Sequence, residues 1–430
     1  MGVAGEPSLS PWSGAWPRRM VWSLRENWRD PRVSVPQPGS LTRADQRWPW
    51  WPLLPLYPYG KRATHVEELI PGQVWSFEQL QGIYYVAVPI RLTVVKVPGG
   101  LMLVNPLPPT TELCAGLRAL EAEHGPVLSI VLPTASGLEH KLPLGPLARK
   151  FPKADVWVCP GQWSFPVQLP LSWLGVPAAR TKVLLTDGVP HPEVCQWISL
   201  GPLDLGVGRF QEISCLHQPS GALLITDALV GIHSTPPAIF DIDPTPLLFH
   251  ARDRGDQPLT DSPEARRRGW ARLVLFASYL RPHCLRVPPI AELLRHAFRP
   301  GLRSWKAHFG LYPFDWQAGW RDDAAELMGD ETAKVQVAPV LERLVLPRAK
   351  QAINSWLEQL ESRSDLSWLI PAHYSAPLAF TTQQASALRS ELQRKDWAPN
   401  EGNWTFLGGI DQRLLELGFV PEDPLKKADF

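Results

Sequence analysis

From about residue 73 onward, apolar positions fall into short runs separated by turn and cap residues, the pattern of buried strands joined by helices. Tyr84–Ile90 and Leu92–Val97 read as two strands, Pro98-Gly99-Gly100 as a turn and Leu101–Val104 as a third strand, together a meander. Thr110 or Thr111 caps a predicted helix running to about Glu123, with Leu113, Leu117 and Leu120 on one face. Val127–Leu132 is then a buried strand. It is followed by a loop over Thr134–His140, a helix at 144–151 and a strand at Ala154–Val158. This strand–helix–strand alternation is the signature of an α/β layer.

Residues 160–210 read as loop-rich. Phe210–Leu216 and Ala222–Thr226 form a hairpin over Gln-Pro-Ser-Gly, and Asp227 closes its second strand. Residues 244–365 read as mostly helical, with periodic stretches at 262–281, 288–298 and 335–361. A short strand, Trp368–Ile370, leads into Pro371-Ala372-His373, and a helix follows at 381–394. The expected organisation is a disordered extension (1–45), a Trp/Pro-rich arm (46–72), one domain (73–395) with a helical insert at about 244–365, and a tail (396–430).

Composition narrows the class. The 430 residues are 44% hydrophobic and 20% charged, as in a core-forming globular protein. A formal net charge of +1 without a basic run gives no support for a nucleic-acid surface, so no nucleic-acid partner is expected. No stretch approaches the roughly 20 apolar residues of a membrane helix, so no transmembrane segment is expected. The first residues lack a secretory pattern, so the chain reads as not secreted. Five cysteines without a C-x-x-C pair read as reduced thiols of a cytoplasmic protein and give no cysteine zinc site. The 20 tryptophans read chiefly as core packing. The run Trp48–Tyr59 is broken by prolines and cannot span a bilayer; it reads as an arm laid on the domain, with a peripheral membrane contact as the alternative.

The candidate chemistry lies at strand ends. Glu139 and His140 follow one apolar run, Asp227 a second and His373 a third. Carboxylates and imidazoles so placed are how a sheet protein gathers metal ligands along one edge. Two histidines and one or two carboxylates suit Zn, Fe(II) or Mn. Other signals are weaker: His250-Ala-Arg-Asp253 reads as an internal ion pair, with an anion site as the alternative, and His217 as packing.

The order of these elements, with Thr134-Ala-Ser-Gly-Leu-Glu-His140, Thr226-Asp227 and Ala372-His373 at strand ends, resembles the metallo-β-lactamase superfamily. That resemblance implies an αββα four-layer sandwich, two sheets back to back with helices outside. It further implies two metal sites. Ala135 and Gly137 stand where the first site's leading histidines belong, so that site is expected to be lost. Glu139, His140, Asp227 and His373 fall on the second, with Asp227 in the bridging place. Asn105 ends a strand that in the superfamily usually ends in Asp. More closely, PLYPYGKR, GIYYVAVPIR, PTASGLEHK, GQWSFP, FHARD and FGLYPF resemble a cyanobacterial and plastid family of unknown function with a metallo-β-lactamase-like core. The expectation is a non-catalytic or weakly catalytic binding or accessory factor in the cytoplasm or plastid stroma, holding at most one Zn, Fe or Mn ion. Its partner, protein or small molecule, is not specified by the residues. A single-metal hydrolase and a peripheral membrane-associated factor are the alternatives.

Overall fold

The computed structural model of the protein describes residues 42–49, 56–83, 85–162, 170–204, 208–297, 299–303, 308–395, 397 and 399–421. Nearly all of the expected disordered extension and residues 50–55 of the arm lie outside them. Among the described residues, seven strands form the first sheet in sequence order: β1 (His65–Ile70), β2 (Val74–Ile83), β3 (Val86–Val97), β4 (Gly100–Val104), β5 (Val127–Leu132), β6 (Asp155–Val158) and β7 (Thr181–Val183). The first four pair antiparallel. From β4 to β7 the pairs are parallel, with α1 (Thr111–His124) and α2 (Leu138–Lys150) as crossovers.

The second sheet begins with β8 (Cys195–Asp204), β9 (Arg209–His217) and β10 (Ala222–Leu224). The chain then leaves it through β11 (Leu229–Ile232), α3 (Ile239–Ile242), α4 (Thr245–His250), α5 (Pro263–Tyr279), β12 (Leu285–Arg286), α6 (Ile290–His296), β13 (Asp315–Trp316), α7 (Trp320–Leu327), β14 (Lys334–Val337), α8 (Pro339–Leu344) and α9 (Lys350–Glu361). It returns as β15 (Trp368–Ile370) and β16 (Leu378–Ala379), giving the order β16-β15-β10-β9-β8, before α10 (Thr382–Arg394) and α11 (Thr405–Glu416).

Side-chain alternation shows why the sheets stack. In β4, Met102 and Val104 face the second sheet, while Leu101 and Leu103 face α1 and α2. In β10 and β15, Ala222, Leu224 and Ile370 face the first sheet, while Leu223 and Leu369 pack on Ile353, Trp356, Leu357 and Leu360 of α9 and Leu388 and Leu392 of α10. The layers are therefore helix, sheet, sheet, helix: the αββα sandwich the resemblance implied.

Several local expectations change. The two strands read at 84–97 are one strand, β3, because Arg91 is buried inside it opposite Glu78 rather than marking its end. The first hairpin partners, β1 and β2, were not expected. The helix read at 144–151 begins six residues earlier, at Leu138, and runs through Pro143 and Pro146. The loop-rich span contains β8, and the mostly helical span contains the strand pairs β11–β14 and β12–β13. Within 335–361 the chain runs from the end of β14 through two separate helices.

The insert packs through an aromatic core, Phe249, Trp270, Tyr312, Phe314 and Trp320, which continues onto the first sheet at Leu80, Tyr85 and Ala87. Arg252 stacks on Phe249 and Tyr312 rather than pairing with Asp253, whose partner is Arg272 at 2.6 Å. His217 is buried and structural, bonded to Ser220 and the Lys96 carbonyl. Trp48 and Tyr57, the described ends of the aromatic arm, are buried. No helix among the described residues is long and apolar enough to cross a membrane.

Candidate metal centre

Three chain segments meet where β5, β10 and β15 end. His140 and Glu139 sit in the first turn of α2, not in a loop. Asp227 lies in the turn after β10, and His373 follows β15. The rings of His140 and His373 are 6.0 Å apart between centroids. One ligand atom from each of Glu139, His140 and His373 lies within 4.8 Å of the others. Asp227 Oδ1 is 3.1 Å from His373 Nε2. All four sequence-predicted residues therefore come together.

Each imidazole is held by its other nitrogen. His140 Nδ1 donates to the Pro106 carbonyl at 3.0 Å, and His373 Nδ1 donates to the Pro89 carbonyl at 3.2 Å. Because a carbonyl only accepts, both Nδ1 atoms carry hydrogen. His140 Nε2 is then a bare lone pair, fully buried and without a hydrogen-bond partner. Burial, with help from His373, pushes the His140 imidazole down to about 4, so it is neutral at pH 7. Burial also opposes charge on His373, but the hydrogen bond and charge of Asp227, aided by Glu139, outweigh it and raise its pKa. Asp227 is held below the usual carboxylate range: burial works against its charge, and His373 and His140 overcome that. Glu139 is raised, by burial first and then by Asp227.

Backbone geometry brings these groups to the edge. The Ile90–His373 bridge and the Arg91 amide bonded to the Ala372 carbonyl at 2.8 Å tie the His373 loop to β3 in the other sheet. The Arg91 guanidinium, paired with Glu78, donates to the Pro371 and Tyr374 carbonyls on either side of His373. Asn105, with φ of 61°, bonds the Ile225 carbonyl and accepts from the Thr226 hydroxyl, joining the ends of β4 and β10. Glu212 is buried beneath Asp227 and accepts three backbone N–H groups of that turn. Burial, with Asp227, pushes its carboxyl up to about 7.

The positions without histidine are filled differently. Gly137 has φ of 79°, and a Cβ there would stand 2.8 Å from Glu139 Oε1. The Glu139 carboxylate thus occupies the space a longer residue at 137 would need. Lys141 is fully buried, with Nζ donating to the Ala135 carbonyl at 2.9 Å. Burial pushes its ammonium down to about 8, so it remains a cation at pH 7. Sequence reasoning missed Arg91, Lys141 and Glu212. Only Arg91 carries a local signal, a charge between two apolar runs; Lys141 follows Glu139-His140 and Glu212 follows Gln211, so neither stands out in the sequence.

The donor set fits a metal ion. Two ligand atoms bound to one zinc at about 2.0 Å are at most about 4 Å apart, so small side-chain shifts close the cluster. The lone pair on His140 Nε2 is the buried, unpartnered donor such an ion needs. Asp227, held ionised, and Glu139 place carboxylate oxygens beside the two imidazoles, a mixed nitrogen and oxygen donor set that suits such a cation.

Comparison with known proteins gives distant likenesses. The mono-zinc form of the metallo-beta-lactamase FIM-1 from Pseudomonas aeruginosa is 9% identical, covering 77% of this chain and 97% of its own, with a TM-score of 0.35. A metallo-beta-lactamase from Pontibacter korlensis is 12% identical, covering 77% and 100%, with a TM-score of 0.35. A flavo di-iron protein from Thermotoga maritima is 10% identical, covering 76% and 62%, with a TM-score of 0.36. No curated protein matches the chain in sequence. At these scores the fold rests on the layers and strand order above. One sequence profile matches residues 71–390, three-quarters of the chain, and the protein therefore belongs to the family described as a domain of unknown function, DUF4336.

Proposed function

We propose that the edge formed by Glu139, His140, Asp227 and His373 binds one divalent transition ion (Zn, Fe(II) or Mn) and that the protein acts chiefly as a metal-holding binding factor. The single observation that carries this reading is the buried, unpartnered Nε2 of His140 facing His373 and Glu139. A buried donor or acceptor left alone costs about 1–3 kcal/mol, and a bound cation removes that cost. The His373–Asp227 contact points the same way. With Nδ1–H already given to Pro89, Nε2 at 3.1 Å from a carboxylate oxygen needs either a second proton or a shared cation. That contact also disfavours a histidine–aspartate general base, because neither His373 nitrogen is left to accept a proton.

Elemental analysis of protein purified without chelator tests the reading. Near-stoichiometric Zn, Fe or Mn that disappears in His140→Ala and His373→Ala supports it. Folded wild-type protein that stays metal-free after incubation with each ion ends it.

A second reading, a single-metal hydrolase, is favoured by the surplus carboxylate. Asp227 is engaged by His373, while the raised pKa of Glu139 suits a group that takes and returns a proton. In that reading His140, His373 and Asp227 hold the ion, which supplies Lewis acidity, and Glu139 handles the proton at its Oε atoms. A panel of esters, phosphodiesters and lactams is turned over by the metal-loaded protein and not by Glu139→Gln if this is right; equal turnover by both removes Glu139 from that role.

A further inference from the structure

We infer that Glu212 is a positioning residue that presets the Asp227 turn for ligation, an inference that rests on the single-ion reading above. Glu212 comes from β9, is 1% exposed, and reaches under the turn that follows β10. Its Oε1 accepts from the Thr226 N–H at 2.8 Å. Its Oε2 accepts from the N–H groups of Asp227 at 2.8 Å and Ala228 at 3.0 Å. Three consecutive amides converging on one carboxylate form an anion-holding concavity, here filled by the protein's own side chain. These bonds fix the backbone on both sides of Asp227 and so fix where its carboxylate stands against His373.

The backbone on either side of Glu212 holds the other half of the edge. Thr134 stands opposite Glu212 in an isolated bridge made by bonds from the Ala135 N–H to the Gln211 carbonyl and from the Ile213 N–H to the Pro133 carbonyl. The segment leading to Glu139 and His140 and the turn carrying Asp227 are therefore registered against one short piece of β9. Partners of this kind, one bond removed from the ligand, typically contribute about 10–100-fold to metal affinity.

The test uses the full chain and cobalt(II), whose visible absorption reports ligand geometry. Glu212→Gln keeps the shape but turns an N–H₂ group toward amide donors. It is expected to weaken cobalt binding about 10–100-fold, to alter the absorption band, and to speed hydrogen exchange of the 226–228 amides at least about tenfold while β4 is unchanged. If Glu212 acts through Asp227, the double variant E212Q/D227N binds cobalt no more weakly than D227N alone. Should Glu212→Gln fail to fold, Glu212→Asp, which retains charge but shortens the reach, takes its place. Unchanged cobalt affinity, or losses that simply add in the double variant, overturns the inference. Wild-type protein that binds no cobalt refutes the single-ion reading instead. The exchange measurement then decides by itself: faster exchange at 226–228 in the variant upholds Glu212 as the support of the turn, and unchanged exchange overturns it.

Discussion

Arg91→Met is the substitution with the largest expected consequence for both fold and site. Arg91 is 1% exposed and lies in the middle of β3. Its Nε donates to Glu78 Oε1 at 3.0 Å, its Nη2 also reaches that oxygen and the Tyr374 carbonyl at 2.6 Å, and its Nη1 donates to the Pro371 carbonyl. Methionine preserves much of the volume and none of these bonds. Glu78, itself buried, is left as an uncompensated carboxylate, a loss that typically costs about 3–5 kcal/mol. The orphaned carbonyls add to this, but not in full, since water and local relaxation reach part of the loop.

The double variant R91M/E78Q separates the two contributions. Removing both charges relieves the buried carboxylate but not the carbonyls, so it is expected to lie about 1–3 kcal/mol below wild type, more stable than Arg91→Met alone. Urea unfolding followed by tryptophan fluorescence measures both at pH 7. In each variant the loop from Pro371 to Tyr374 loses the guanidinium bonds to its Pro371 and Tyr374 carbonyls and keeps only backbone ties to β3, so zinc affinity falls even where the fold persists. A cost under about 1 kcal/mol for Arg91→Met, or a double variant no more stable than the single, would refute the claim that this buried pair clamps the His373 loop.

Other outcomes follow from the same geometry. Burial pushes His250 down to about 3, so the unfolded chain binds its proton below pH 6.5 while the folded chain does not. Its stabilisation is complete above pH 6.5 and is lost as pH falls toward 3, on the order of 5 kcal/mol in total, so His250→Gln flattens the acid limb of a stability–pH curve. Some slope remains, because His140, at about 4, behaves alike. In metal binding, the raised pKa of His373 means its proton must leave first, while His140 is already neutral. Isothermal titration should show affinity falling by one proton per ion as pH drops through the raised pKa of His373, with a further proton where Glu139, also raised, takes one up, and His140 adding its own only near pH 4. Gly137→His is expected to destabilise the chain by about 1–3 kcal/mol, given the positive φ and the 2.8 Å approach to Glu139. It should add no second equivalent of zinc by elemental analysis, since the new side chain meets Glu139 first.

The fold and the four candidate ligands were legible for the same reason: each lies where an apolar run stops, and that pattern survives without knowledge of packing. Thr110 accepts from the Leu113 amide, and α1, β5, β15 and α10 lie close to where the sequence predicts them. Much of what failed lies where a buried charge or a proline interrupts a run. Arg91 split one strand into two. Pro143 and Pro146 delayed the start of α2 and so put Glu139 and His140 in a loop, although their rise into one helical turn is what aims them together. Charge within a strand is costly unless a partner is supplied, and the partners here (Glu78 for Arg91, the 226–228 amides for Glu212) lie 13 and 14 to 16 residues away. Such pairing has no local period to read. The residues least visible in the sequence are therefore those that hold the visible ones in place. A chain that retained Glu139, His140, Asp227 and His373 but lost Arg91 and Glu212 would present the same motif with no site behind it.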